Sequence, residues 1–129
     1  MTVAATRARP DHEAAAAEGA ELINALAALP ETHPSRASLR RRTIEAWLPL
    51  ARHLALRFSG RGEAMDDLVQ TAMIGLIKAV DRFDPSFGVD FAGYAIPTII
   101  GEIKRHFRDR TWSVRVPRRL QEMRLAISE

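Results

Sequence analysis

Between Asp67 and Arg82 the chain carries more apolar side chains than one face of a helix can hold. Leu68, Ala72, Leu76, Ala79 and Phe83 recur at steps of three and four residues, which makes one core stripe. Val69, Met73, Ile77 and Val80 form a second stripe beside it, and Ile74 belongs to neither. Asp67, Gln70, Thr71, Lys78 and Asp81 supply what polarity remains. A helix apolar over so wide an arc either sits at the centre of a large bundle or keeps a face for a partner. The 129 residues make one domain, or one domain with a tail. The second stripe is therefore a candidate docking surface.

The remaining segments read as support for that helix. Residues 1–19 are Ala-rich, with few large hydrophobes to offset ordering entropy, and are expected to be a disordered tail. Leu22, Ile23, Leu26 and Leu29 form one stripe of a short helix over Glu21–Leu29, which Pro30 ends. Ser35 is a plausible N-cap for a longer helix with Gly60 just beyond its end. Trp47, Leu50, Ala51, Leu54 and Phe58 mark its core face, and Pro49 should kink or split it. Arg40, Arg41 and Arg42 read first as a solvated face and second as a DNA contact. Gly60 and Gly62 bracket a turn, and Asp67 with Gln70 could form a capping box at the next helix. Nothing alternates at period two for long, so the fold is expected to be all-α, a compact bundle of about four to five helices.

A second chemical surface follows the apolar helix. Asp84, Pro85, Ser86 and Gly88 are turn residues. Phe87, Phe91 and Tyr94 then fall within eight positions, half of the five Phe and one Tyr in the chain. Ile96, Ile99, Ile100, Ile103 and Phe107 describe an amphipathic helix whose polar side holds Lys104, Arg105 and Arg108. Arg110, Trp112 and Arg115 alternate as if along a short extended piece before Pro117. Arg118 and Arg119 would open a last helix carrying Leu120, Met123 and Ile127. Basic side chains neutralise phosphates, and exposed rings stack on unpaired bases at about 1–3 kcal/mol per base. Together they suit single-stranded or locally opened nucleic acid better than intact duplex. Taken singly, Phe87, Phe91 and Tyr94 fit a helix core equally well.

Other chemistries find little support. With no cysteine, disulfides and thiolate metal sites are excluded, and a reducing cytoplasm is the natural setting. His12, His33, His53 and His106 lack second ligands at helical spacing, so surface or capping roles are expected and no metal. No apolar run approaches a membrane span, and the N-terminus lacks a signal-type apolar core. There is no nucleophile–base pair, no phosphate-cradling glycine loop and no paired-carboxylate site. Asp66 and Asp67 are adjacent, so on a helix they diverge by about 100°. A binding module without cofactor is expected, not an enzyme.

The segments DLVQ (67–70), GLIKAVDRFDP (75–85), Phe91-x-x-Tyr94-Ala95 and VRVP (114–117) resemble the second domain of bacterial sigma factors, the promoter-opening subunits of RNA polymerase. The likeness runs without a gap from about Ala46 to Pro117. The wording from Ala95 to Glu122 is similar to the alternative, stress- and sporulation-type branch. On this resemblance, residues 20–116 form the second domain with its preceding helices. Residues 117–129 then begin a linker or third domain, with a later −35-reading domain lying beyond the sequence.

The resemblance also implies roles. Asp67, Gln70, Thr71, Met73 and Ile77 would bind the clamp helices of the largest subunit of core RNA polymerase. Tyr94 would stack on the first flipped adenine of the non-template −10 strand, with Phe91 shaping its pocket. Thr98, Gly101 and Lys104 would lie at the upstream duplex edge, and Arg105, Arg108 and Arg115 on phosphates. An anti-sigma factor would cover the apolar stripe around Met73 and Ile77. Housekeeping members carry two tryptophans where this chain has Pro97 and Thr98, and a base-reading glutamine where it has Gly101. A different wedge and a different promoter sequence follow. Trp47 also replaces a commonly polar residue near the downstream base pocket. A helix-turn-helix repressor would instead prefer duplex DNA, and a scaffolding bundle would bind none. For the last long helix, a start at Pro97 suits local rules, whereas the resemblance favours a bent helix from about Phe91.

Overall fold

The computed structural model describes the backbone of residues 10–115 and the side chains of residues 17–109. The described residues form four helices: α1 (Pro10–Ala28), α2 (Arg36–Leu56), α3 (Met65–Arg82) and α4 (Phe91–Arg115), with a 3-10 turn at Pro85–Phe87. No strand occurs among the described residues, as expected. α3 packs on both α2 and α4, and α1 lies against α2. The core is one cluster in which Leu54, Leu68, Leu76, Ile99 and Ile103 are fully buried. Each contributes about 1.5–3 kcal/mol by leaving water.

Helix α1 begins at Pro10, well before the expected start at Glu21. Proline suits a first helical turn, where its missing N–H has no partner to lose. The rest of the expected tail, residues 1–9, lies outside the described residues, as does the helix expected after Pro117. At the other end of α1, the Arg36 guanidinium donates to the carbonyls of Leu26 (2.8 Å) and Leu29 (3.2 Å). These are the carbonyls a helix C-terminus leaves without donors.

Of three local expectations, two are narrowed and the last is overturned. Pro49 does not split α2, which runs unbroken to Leu56. Pro49 and Glu45 are both exposed, so water can serve the Glu45 carbonyl that loses its N–H donor. Ser35 stands at the N-cap position, but its side chain caps nothing, and its own N–H donates to His33 Nδ1 (3.0 Å). The Asp67–Gln70 capping box is absent because α3 starts at Met65, with Ala64 at its N-cap. Asp66 and Asp67 instead fall in the first turn, where carboxylates favour the positive end of the helix dipole.

Helix α4 passes through Pro97 as one element from Phe91. Its start is set by Asp90, whose Oδ1 accepts the Gly93 N–H (2.8 Å) and whose carbonyl accepts the Tyr94 N–H (3.2 Å). The backbone stays helical to Arg115, so the extended piece expected over Arg110–Arg115 is replaced by two more helical turns.

The α3–α4 connection turns on Asp84, whose Oδ1 accepts the Ser86 N–H at 2.9 Å. That hydrogen bond holds the Asp84 carboxyl below its ordinary value. A lowered carboxyl pKa stabilises the fold above the unfolded value, and the contribution is lost as pH falls through the folded one. Asp84→Asn keeps a capping oxygen without the titration. Its urea midpoint should fall less steeply than that of the parent chain between about pH 6 and pH 3.

Candidate functional site

Two exposed helix faces carry the residues singled out in the sequence. On α3, Leu68, Ala72, Gly75, Leu76 and Ala79 face the core. The opposite side steps at three- and four-residue intervals through Asp67, Gln70, Ile74, Ile77 and Asp81, one face of a helix. Asp67, Gln70, Ile74 and Asp81 are exposed and Ile77 is half-buried. Thr71 and Met73 flank this row, both half-buried, and the Thr71 hydroxyl donates back to the Asp67 carbonyl (2.8 Å). The five expected docking residues thus share one side of α3.

The second stripe itself is redrawn. Val80 is buried in the core at 3% exposure, whereas Ile74, assigned to neither stripe, is 50% exposed at the centre of the free face. Its step of four from Gln70 and three to Ile77 was the signal that could have placed it there. Polar contacts frame the face. Arg40 makes a two-pronged pair with Asp81, at 2.6 and 3.0 Å, whose hydrogen bonds raise the Arg40 pKa further. One of the three consecutive arginines is thereby tied to α3. Lys78 pairs with Glu102 of α4, whose carboxylate also lies 3.6 Å from Arg105.

On α4, Tyr94, Thr98, Gly101, Arg105 and Arg108 follow one another at steps of four, three, four and three, which puts them on a single face. The helical backbone carries that step through residue 112 to Arg115, whose side chain lies outside the described residues. Lys104 stands beside the row. Gly101, Lys104, Arg105 and Arg108 are exposed, and Thr98 is half-buried with its hydroxyl on the Tyr94 carbonyl (2.9 Å). Beyond the adjacent residues and the helix's own backbone, no atom stands within 4 Å of where a Gly101 Cβ would be, so the face is bare there.

The aromatic residues separate into two roles. Phe91 is 3% exposed and packs edge-on against Trp47 (4.8 Å) and Phe83 (5.4 Å), so it is core and cannot itself stack on a base. Tyr94 is half-buried on Phe83 (5.7 Å) and Phe87 (5.3 Å), while Phe87 is 50% exposed. Phe83 is the ring the three share, in contact with Phe91 on the core side and with Tyr94 and Phe87. A cavity of about 330 Å³ opens beside this cluster, lined by Ile23, Trp47, Phe83, Val89 and Phe91, with Asn24 and Asp90 among its polar groups. Trp47 also donates its indole N–H to the Gly19 carbonyl (3.0 Å), which ties α1 to the cavity wall. The sequence reading gave Trp47 to the helix core and did not foresee this bond.

One helix thus presents Ile74 and Ile77 between polar residues, and the next a row that runs from an aromatic to a basic end, on two separate faces of an all-α bundle. Residues 43–113 match the model of sigma-70 region 2, more than half of the chain. The chain belongs to that family. It is 50% identical over 107 residues to the RNA polymerase sigma factor SigF of Mycobacterium tuberculosis, a match covering 83% of this chain and 41% of that protein. It is 59% identical over 80 residues to the RNA polymerase sigma-F factor of Kitasatospora aureofaciens, covering 62% of this chain and 27% of that protein. The sigma-B factor of Bacillus subtilis is 49% identical over 80 residues, 62% of this chain and 30% of its own length. The chain thus spans less than half the length of these three relatives.

Proposed function

We propose that this chain is the part of an alternative sigma factor that docks on core RNA polymerase through the outer face of α3 and captures the opened non-template −10 strand along α4. The observation that carries the reading is the single row Tyr94–Thr98–Gly101–Arg105–Arg108, an aromatic end continuous with a cationic one. A flipped base would stack on Tyr94, and Phe91 would act at one remove, through Phe83, which packs on both rings. Lys104, Arg105, Arg108 and Arg115 would meet phosphates, a contact that weakens with salt. Pro97 and Thr98 stand where a wedge of rings would be, so strand opening relies on capture more than on prising bases apart. Such a module works in the cytoplasm as a regulatory subunit, without a catalytic centre or cofactor of its own. On the same reading, an anti-sigma factor would silence it by covering Ile74 and Ile77.

The test is a fluorescent A/T-rich single strand against the same sequence as duplex. The chain should prefer the single strand, and Tyr94→Ala should weaken that binding roughly tenfold, the loss of one stacked base. Equal or tighter binding of the duplex would make the chain a duplex reader and end the strand-capture proposal. Binding of neither at low salt would leave the scaffolding alternative.

A further inference from the structure

A carboxylate stands between the two exposed faces. Glu102 of α4 accepts a hydrogen bond on Oε1 from the Lys78 ammonium of α3, and the Arg105 guanidinium lies 3.6 Å from the same oxygen. The Glu102 side chain is only 14% exposed, whereas that of Arg105 is 59% exposed. Gly75 makes the approach possible, since a Cβ there would meet the Glu102 Cγ at 3.3 Å. Lys78 follows Ile74 by one helical turn and is the neighbour of Ile77. Arg105 belongs to the row that starts at Tyr94.

We propose that Glu102 is a positioning residue, which through its bond to Lys78 sets how much of the Arg105 charge is left for a strand phosphate. The inference rests on the strand-capture reading above. Two cations that converge on one oxygen repel each other, so a firmer hold by one loosens the other. Lys78 makes the shorter contact from a half-buried position, and Arg105 the longer one from solvent. The carboxylate therefore belongs chiefly to Lys78, and Arg105 keeps most of its charge. Without Lys78, Glu102 would turn to Arg105 and cancel it. Without Glu102, Arg105 would meet the strand at full strength.

The other charges on this part of α4 are arranged differently. Arg108 Nε has Asp109 Oδ1 beside it at 3.9 Å on its own helix, and His106 is engaged with Glu63 of the α2–α3 loop. Neither of these pairs includes a residue of α3, whereas the Glu102 pair does. That position gives the pair its consequence. A partner seated on Ile74 and Ile77 would lie against Lys78 and keep water from its contact with Glu102. In the lower dielectric their attraction grows, and Arg105 is released further. Occupation of α3 is thereby felt on α4.

The experiment measures binding of the fluorescent A/T-rich single strand to this 129-residue chain at about 50 mM salt. Ion pairs near the surface are weak, so effects of about threefold are expected. Lys78→Met should weaken strand binding and Glu102→Gln should tighten it, each by about that factor. Lys78→Met/Glu102→Gln then separates a contact from a general field. If Lys78 acts through Glu102, the double variant binds as tightly as Glu102→Gln. If the two charges act independently, their effects cancel, the double variant binds like the parent, and the proposal is overturned. In an Arg105→Gln chain, Glu102→Gln should leave binding unchanged, and a surviving gain also overturns it. A variant that merely loosened the α3–α4 contact would weaken strand binding, so weaker binding by Glu102→Gln counts equally against the proposal. With saturating core polymerase, parent and Glu102→Gln should bind the strand alike, and a gap that persists there overturns the link from α3. Tyr94→Ala reports separately. If it has no effect while the Lys78 and Glu102 variants move binding in opposite directions, stacking fails and the role of Glu102 stands. If it weakens binding while those variants change nothing, strand capture stands and the role of Glu102 falls. No strand binding at low salt overturns both.

Discussion

Gly75→Val is expected to lower the unfolding free energy by about 3 kcal/mol, the upper range for forcing extra atoms into a packed site. A Cβ at Gly75 would lie 2.8 Å from the Ile99 Cα and 3.3 Å from the Glu102 Cγ. The first of these is backbone and cannot rotate away, so α3 and α4 would have to part along their whole contact. Leu76, Ile99 and Ile103, all fully buried, would lose packing together. The Lys78–Glu102 pair, which crosses the same contact, would open as well. Gly75→Ala is the sharper form of the test. In a free helix alanine is better than glycine by about 1 kcal/mol, so a neutral site should be stabilised by it. Here the clash should win, and the urea midpoint should fall. A raised midpoint for Gly75→Ala would show that the helices are not pressed together at this point.

Ile77→Asp should weaken capture of core RNA polymerase about a hundredfold. Interface anchors cost about 2–4 kcal/mol when removed, and each 1.4 kcal/mol is a factor of about ten. A charge forced into the interface adds a desolvation cost to the lost packing. Ile77 is half-buried, so the fold itself must be checked, and the helical circular dichroism signal should stay close to that of the parent chain. Ile74→Asp is a cleaner partner variant, because Ile74 is already 50% exposed and its replacement costs the free chain little. Both variants should also weaken an antagonist that covers this face. Normal polymerase capture by both would remove α3 as the docking element.

Much of this arrangement is legible in the sequence, because the two faces obey helical spacing. The core stripe Leu68, Ala72, Leu76 and Ala79 is buried as its period requires. The row from Tyr94 to Arg108 shares a face for the same reason. What could not be read depends on contacts between distant segments. Val80 and Ile74 have similar side chains; spacing from Gln70 and Ile77 places Ile74 on the free face, but the burial of Val80 at the edge of the core stripe depends on the helices packed against α3. Phe91 and Tyr94 are three residues apart and both aromatic, and Phe83 touches both, but Trp47 packs on the first and leaves it buried while Tyr94 stays half-buried. The start of α4 follows the resemblance, which favours a helix from about Phe91, and not the local rule that favours Pro97. The local cause is Asp90, whose carboxylate is the cap that lets the helix begin at Phe91 and run through Pro97.

The proposed function requires that this chain join core RNA polymerase by the outer face of α3. Titration of fluorescently labelled chain with purified core polymerase tests it directly. The account predicts a saturable complex of one chain per polymerase, competed by unlabelled chain and weakened about a hundredfold by Ile77→Asp. No saturable binding, or saturable binding that both Ile74→Asp and Ile77→Asp leave unchanged, would contradict it.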